Sequence, residues 1–201
     1  MKLFFPILLT SLAVCSGCAR SPERQYFTLK TTPSIGKESE VSFPETSITM
    51  GAVTIPDSVD RNKIVTRQPN SLRIEISEIN RWSEPLNSEI ASLLADDLRH
   101  KLPRTLVTTS GQNSGASVPE HRLDVDITRF DGTLGSGVVI EADWAIRDRK
   151  KADVRHGHAV IHEQTHAGDY DALVRAYAEG VHRLADLIGK SLQDNLKASR
   201  D

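Results

Sequence analysis

The chain has 201 residues, with 25 basic and 27 acidic side chains and a formal net charge of -2. Charges of both signs are mixed throughout, which is unlike the concentrated basic surface of a nucleic-acid-binding protein, so we expect no nucleic acid partner. Cys15 and Cys18 are the two cysteines, and both lie close to the start, so the remainder of the chain needs no disulfide.

The first 17 residues predict an export signal. Lys2 supplies a cationic start, an apolar run follows from Leu3 to Val14, and the small residues Ser16 and Gly17 precede Cys18. The apolar run is about a dozen residues long, short of the roughly 20 that cross a bilayer as a helix. We therefore predict a lipoprotein signal at 1–17 and Cys18 as the lipid-bearing, palmitoylated first residue of the mature chain.

Two alternatives to Cys18 remain open, namely Cys15 as the lipid acceptor and an ordinary cleaved signal. Cys15 stands where lipoprotein signals usually have Leu, and its use would place the bulkier Val14 before the cut. Asp after the modified cysteine resembles an inner-membrane retention signal, but Ala19 stands there. We therefore expect a lipid anchor in the outer membrane, with the domain facing the periplasm.

The mature chain divides into a tether and one domain. Residues 18–46 are predicted to be a lipid-anchored tether with a short strand at Tyr26–Leu29, and residues 47–201 a single α+β domain. Apolar and polar residues alternate in the segments with strand composition. In one of them, Leu72–Ile76, the alternation predicts a buried apolar face. The predicted strands cover Ser47 to Pro56, 63–67, 72–76 continuing into 79–82, 105–109, 121–128, 137–147 and 155–166.

Helical spacing of apolar residues predicts two amphipathic helices. Ser83 is the expected cap of the first, which runs to Leu102, with Pro85 at an early position. Asp169 is the expected cap of the second, whose apolar stripe runs from Tyr170 to Leu196. The fold class is therefore α+β, an antiparallel or mixed β-sheet with two amphipathic helices packed on it.

Several segments together resemble a known family. They are the "IPDSVDR" stretch ending at Arg61, the "IVTR" stretch ending at Arg67, and the "RWSEPL" stretch that begins at Arg81. These motifs, after a lipidated cysteine, resemble the ABC-type transport auxiliary lipoproteins, the PqiC-like family. The resemblance implies a non-catalytic outer-membrane component of an intermembrane lipid transport system that maintains envelope integrity. The implied partners are an MCE-domain protein and inner-membrane transporter subunits, without a cofactor.

The same motifs supply the candidate partner-binding residues, which are Arg61, Arg67, Arg81 and Trp82. Arginine and tryptophan are frequent hot-spot residues at protein interfaces. The alternative is a structural corner between strand and helix, with Trp82 buried and Arg81 paired to a carboxylate. A homo-oligomer is a further partner that the sequence leaves open.

Histidines and carboxylates on the later strands are residue types of metal sites and acid/base pairs, but their spacing argues against such a site. Alternate residues of a strand are already 6.5 to 7 Å apart, so one metal ion cannot collect His158, His162 and His166. His156 and His158 form a plausible pair without a clear third ligand, and we predict solvent-facing histidines and no metal site. The carboxylates Asp124, Asp126, Glu141 and Asp143 fit the wet face of a sheet.

Two other functional classes remain as alternatives. One is a structural or assembly lipoprotein that scaffolds or activates another envelope protein. The other is an enzyme with a metal at His156 and His158. Hydrolase and phosphate-loop motifs are missing from the sequence, and we therefore predict that the protein is not an enzyme.

Overall fold

A computed structural model describes residues 22–30, 45–109, 119–149 and 154–198, with side chains as far as residue 194. The predicted signal 1–17, Cys15, Cys18 and most of the tether lie outside these residues. The described residues form eight strands and two helices. In chain order they are β1 Gln25–Phe27, β2 Thr46–Thr54, β3 Lys63–Arg67, β4 Ile74–Trp82, α1 Leu86–Lys101, β5 Thr105–Thr109, β6 His121–Thr133, β7 Gly137–Asp148, β8 Val154–Gln164 and α2 Tyr170–Ala198.

The strands divide into two mixed sheets. Sheet A has the order β1-β4-β3, with β1 parallel and β3 antiparallel to β4. Sheet B has the order β5-β2-β6-β7-β8, in which β2 is parallel to both β5 and β6. The remaining pairs, β6 with β7 and β7 with β8, are antiparallel. The predicted α+β class with a mixed sheet is confirmed, and the last two strands form an antiparallel hairpin.

Both helices cover sheet B. Helix α1 packs on β2 and β5, helix α2 packs on β6, β7 and β8, and the two helices contact each other. Gly180 permits close packing of α2, because a Cβ there would lie 2.7 Å from Ile140 Cδ1 on β7. The predicted apolar stripe of α2 is buried from Leu173 to Leu192, and the side chain of Leu196 lies outside the described ones. The buried members include Leu173, Tyr177, Val181, Leu184, Ile188 and Leu192. No described helix is long and apolar enough to span a membrane.

Strand alternation places the core of sheet B as the sequence predicts. On β7 the side chains of Val138, Ile140, Ala142, Trp144 and Ile146 are buried. On β2 the inward residues Met50 and Val53 are three apart, and a bulge between them keeps both on the buried face. The core therefore lies between sheet B and the two helices.

The predicted cap of α1 is wrong. Pro85 occupies the N-cap position and makes no side-chain capping bond. The Ser83 hydroxyl instead donates to Glu89 Oε1 at 2.8 Å. Asp169 is a cap as predicted, because its Oδ1 accepts a bond of 2.8 Å from the amide of Ala172.

The predicted buried face of Leu72–Ile76 is also wrong. Leu72 is 99% exposed, and Ile74 and Ile76 are 43% and 39% exposed. The alternation is present, and the ladder partner of Ile76, Val65, is buried, but both helices pack mainly on sheet B and leave this half of β4 partly uncovered. Its apolar side chains therefore face solvent.

Candidate docking surface

The two sheets are joined by a cluster that we call the inter-sheet junction, made of Arg67, Trp82, Phe130, Asp131 and Tyr177. Arg67 Nε on β3 lies 2.7 Å from Asp131 Oδ1 on β6. The other carboxylate oxygen, Asp131 Oδ2, lies 2.6 Å from Arg129 Nε. One carboxylate thus links a strand of sheet A to sheet B through a half-buried ion pair.

Aromatic rings fill the space beneath this ion pair. Tyr177 of α2 stacks on Phe130, with ring centroids 4.1 Å apart and an interplanar angle of 4°. Trp82 approaches the same tyrosine edge-on at 6.2 Å. Burial, and secondly the negative charge of Asp131, raise the pKa of Tyr177 far above its ordinary value. The phenol therefore remains protonated inside the junction.

The four predicted partner-binding residues separate into two kinds. Trp82 is 4% exposed, so its ring belongs to the core, as the structural alternative for this residue expects. Arg67 reaches the same junction from β3. Arg67 links sheet A to sheet B, and Trp82 packs sheet A against α2. The Arg67 side chain is still 38% exposed, and a partner-binding role for both residues stays a prediction.

Arg61 and Arg81 lie elsewhere. Arg61 is exposed in the turn between β2 and β3, where its Nη2 donates weakly to the Asp57 carbonyl at 3.4 Å. Arg81 is half-buried, and its Nε has no hydrogen-bond partner among the described residues. The hydrogen bond from Lys63 is the main cause of the lowered pKa of Glu78, and the charge of Arg81 lowers this pKa further. A partner-binding role for these two arginines stays a prediction.

A different surface stands out in the structure, and sequence reasoning did not identify it. Ile74 and Ile76 have the same parity on β4 and project from one side of the strand, and Leu72 lies in the turn just before it; we call these three exposed residues the hairpin patch. Their neighbour in the ladder is Arg67, which pairs with Ile74. Single exposed apolar residues are ordinary, whereas contiguous ones mark interaction surfaces.

One edge of the same part of β4 is unpaired among the described residues. Among the described residues, β1 pairs only with residues 80 to 82 of β4, while β3 occupies the opposite edge. Residues 74 to 79 therefore offer backbone donors and acceptors that an added strand can pair with. The hairpin patch and this unpaired edge together have the features of a docking surface.

The histidine strand is solvent-facing. His156, His158 and His162 are exposed, and β8 ends at Gln164, so His166 lies beyond it. His158 Nδ1 lies 2.9 Å from Asp143 Oδ1, and its Nε2 lies 3.8 Å from Glu141. Across the described ranges, three or more metal-ligating side chains do not group together anywhere.

The predicted wet face of the sheet is a set of ion pairs and hydrogen bonds. Asp124 accepts from Arg122 at 2.9 Å and also pairs with Arg147. Asp126 accepts a hydrogen bond from the hydroxyl of Thr54. Each of these carboxylates bonds to a side chain at a neighbouring position of the sheet, as expected for charged residues on the solvent-facing side of a sheet.

Comparison with known proteins gives a family and a fold. The family model described as "ABC-type transport auxiliary lipoprotein component" matches residues 27–189. A solved structure of an uncharacterized protein is 19% identical, with a TM-score of 0.69 over 85% of this chain and 99% of that one. A protein of the DUF330 family from Xanthomonas campestris is 14% identical, with a TM-score of 0.65 over 88% and 99%. No curated protein matches the chain.

Proposed function

The chain belongs to the family of ABC-type transport auxiliary lipoprotein components, and on this premise we propose that it is a non-catalytic docking component of an intermembrane lipid transport system. Lipid chains on Cys18 hold it in the outer membrane, with the domain in the periplasm. It docks to the MCE-domain protein of the system, which connects it to the inner-membrane transporter subunits. Through this link it supports envelope integrity.

The hairpin patch is the observation that carries the docking part of this proposal. Leu72 contributes a nearly fully exposed leucine in the turn, and Ile74 and Ile76 add two partly exposed apolar residues on a strand whose edge is unpaired among the described residues. Covering each side chain contributes about 1 to 2 kcal/mol, since full burial of a Leu or Ile is worth roughly 1.5–3 kcal/mol. Backbone hydrogen bonds along residues 74 to 79 fix the direction and register of the strand that a partner adds.

Tethering makes such a modest surface sufficient. A lipid anchor confines the domain to the membrane surface, so that a second contact forms at a high effective concentration. The junction residues Arg67 and Trp82 contribute indirectly, because they hold the hairpin against sheet B. Arg61, which is exposed, is the predicted arginine best placed to contact a partner itself.

The docking surface can be tested by site-specific photo-crosslinking in intact cells. A photoreactive amino acid in place of Leu72 is expected to crosslink to the MCE-domain protein. The matched control replaces Val160, an apolar strand residue that is 48% exposed on the wet face of β8. Leu72→Ser should reduce co-purification of the MCE-domain protein by about tenfold at roughly unchanged stability, because this side chain is 99% exposed.

Each outcome of this experiment identifies what binds to the hairpin patch. Crosslinks from position 72 to a second copy of the chain would make the patch a homo-oligomer contact and would contradict the docking proposal. Crosslinks to a peptidoglycan synthase would favour the alternative, a scaffolding or activating lipoprotein. Equal crosslinking of the MCE-domain protein from positions 72 and 160 would show that the patch has no special role.

The anchor needs its own test. Cys18→Ala should release the protein from membranes into the soluble periplasmic fraction, because one acylated cysteine provides all of the lipid chains. Cys15→Ala is the matched control and should leave the protein in the outer-membrane fraction. Sedimentation of Cys18→Ala with the outer membrane would contradict the assignment of the anchor.

A further inference from the structure

A groove of about 270 Å³ lies between the N-terminal strand β1 and helix α2. One wall is the chain from residue 26 to residue 29, and the other is a stripe of α2 made of Asp171, Val174, Arg175 and Ala178. These four positions are three or four residues apart, so they share one face of the helix. The hairpin patch contributes nothing to the groove, which is therefore independent of the docking proposal.

The floor of the groove is apolar and its rims are polar. Leu29, Val174 and Ala178 are buried. The Tyr26 side chain is 61% exposed on one rim, and Arg175 is exposed on the other. A ligand in the groove can therefore cover apolar area while polar groups at the rims fix its position.

The outer edge of β1 supplies backbone hydrogen-bonding groups to the groove. Among the described residues, β1 pairs with a neighbour on one edge only, which is β4. The Phe27 carbonyl accepts from the Ser83 amide at 2.8 Å, so the backbone groups of Phe27 face β4. Because these groups alternate in direction along a strand, the N–H and C=O groups of Tyr26 and Thr28 face the opposite edge. Both residues line the groove, and their backbone groups can pair with an added strand.

Strand β1 is held in position by both helices. The Glu89 carboxylate of α1 accepts from the Thr28 hydroxyl at 2.8 Å and from the Leu29 amide at 3.2 Å. The Phe27 ring lies 6.2 Å from the ring of Tyr170, where α2 begins. The strand edge is therefore arranged before a ligand binds, which lowers the ordering cost of binding.

The charges on the rim of α2 give the groove a direction. Arg175 makes no hydrogen bond or ion pair among the described residues, and its guanidinium group has five N–H donors that suit a carboxylate. Asp171 lies one turn earlier, so the negative charge is nearer the start of α2. An extended ligand with a carboxylate at Arg175 matches this arrangement, whereas a basic group there would be repelled.

We propose that the groove binds an extended, acidic segment of a partner protein by strand addition to β1. The segment pairs with the backbone of Tyr26 and Thr28. Its inward side chains contact Val174 and Ala178, and one acidic side chain pairs with Arg175. A strand edge beside an apolar floor is the arrangement that strand addition requires, because the backbone gives affinity and the alternate side chains give specificity.

The first test is a selection of random peptides displayed on phage, carried out on the full chain in a nonionic detergent. Enriched peptides are expected to share Asp or Glu at one position, which pairs with Arg175. A selection on Arg175→Glu should enrich Lys or Arg at that position, and a folding defect would not produce this reversal. Arg73→Glu is the matched control, a charge reversal at an exposed arginine in the turn between β3 and β4. It should leave the acidic preference unchanged.

The second test measures the affinity of one enriched acidic peptide by fluorescence anisotropy. Tyr26→Pro removes the outward N–H group, and its ring obstructs an added strand, so binding should weaken by about tenfold or more. Proline is tolerated on a strand edge that faces solvent, so Tm should change little. Tyr26→Ala is the matched control, because it keeps the N–H group and should weaken binding less.

Hydrogen exchange then locates the bound peptide. Exchange of the Tyr26 and Thr28 amides should slow on binding, whereas slower exchange at residues 74 to 79 in their place would overturn the proposal. The same enriched charge on the unchanged protein and on Arg175→Glu, equal loss of binding in the two Tyr26 variants, or no enriched sequence would also overturn it. Enriched peptides that match a stretch of this chain would identify a second copy, or the chain itself, as the occupant in place of a partner.

Discussion

Glu89 is a buried carboxylate whose removal tests how the N-terminal strand is attached. The side chain is fully buried in the first turn of α1. Its Oε2 accepts from the Thr28 hydroxyl at 2.8 Å and from the Leu29 amide at 3.2 Å, and its Oε1 accepts from the Ser83 hydroxyl at 2.8 Å. The helix dipole also favours a negative charge at this position. We call these four residues the Glu89 clasp.

Glu89→Gln is expected to lower the free energy of unfolding by about 2 kcal/mol. The glutamine amide has the same shape as the carboxylate, but its NH₂ group faces one or two of the hydrogen-bond donors of the clasp. One or two charge-assisted hydrogen bonds are therefore lost, at roughly 1.5–3 kcal/mol each. Relief from burying a charge offsets part of that loss. In a domain of this size, 2 kcal/mol corresponds to a fall in Tm of about 4 to 8 °C.

The assay is thermal unfolding followed by circular dichroism, together with hydrogen exchange of the Leu29 amide. Glu84→Gln is the matched control, because Glu84 is 54% exposed in a 3.5 Å pair with Lys30 and should contribute under about 1 kcal/mol. Exchange of the Leu29 amide should accelerate in Glu89→Gln only. Equal Tm values for the two variants, or unchanged exchange at Leu29, would refute the clasp as an attachment point.

Two other predictions concern the inter-sheet junction. Burial raises the pKa of Tyr177 in the folded state, so the unfolded chain loses this proton first above about pH 10. The free energy of unfolding should therefore fall as the pH rises through that value. Denaturant unfolding at pH 9 and pH 11 should show a smaller fall in Tyr177→Phe than in the unchanged protein. Gly132→Ala would place a Cβ 2.4 Å from Tyr177 Oη and should cost about 1–3 kcal/mol. Gly168→Ala, which meets nothing within 4 Å, should leave Tm nearly unchanged; equal Tm values for the two glycine variants would contradict the predicted overpacking.

Periodicity predicted the elements of this fold well, and the reason is physical. The strands β6 and β7 and the helix α2 each bury one face against the same core, so their apolar residues recur at periods of two or about 3.6. Alternation on β4 has the same form, yet Ile74 and Ile76 are exposed. A pattern within one strand shows that a face is apolar, but it does not show whether another layer covers that face.

The candidate sites were harder to predict for a related reason. Trp82 and Arg67 are residue types common at interfaces, but contacts with Asp131 and Tyr177, far along the chain, make them parts of the junction. Long-range pairing, rather than residue type, decides which of these side chains are free to bind.

The Glu89 clasp connects the anchor to the docking proposal. Leu29 lies eleven positions after Cys18, and an extended chain spans at most about 3.6 Å per position, or about 40 Å in all. If Cys18 carries the lipid, the clasp therefore holds α1 within that distance of the membrane surface. Under the docking proposal, the MCE-domain partner must then reach the domain within that distance of the membrane. Lengthening the tether by a flexible insert should weaken docking gradually through the lower effective concentration, whereas loss of the clasp should also lower the stability of the domain.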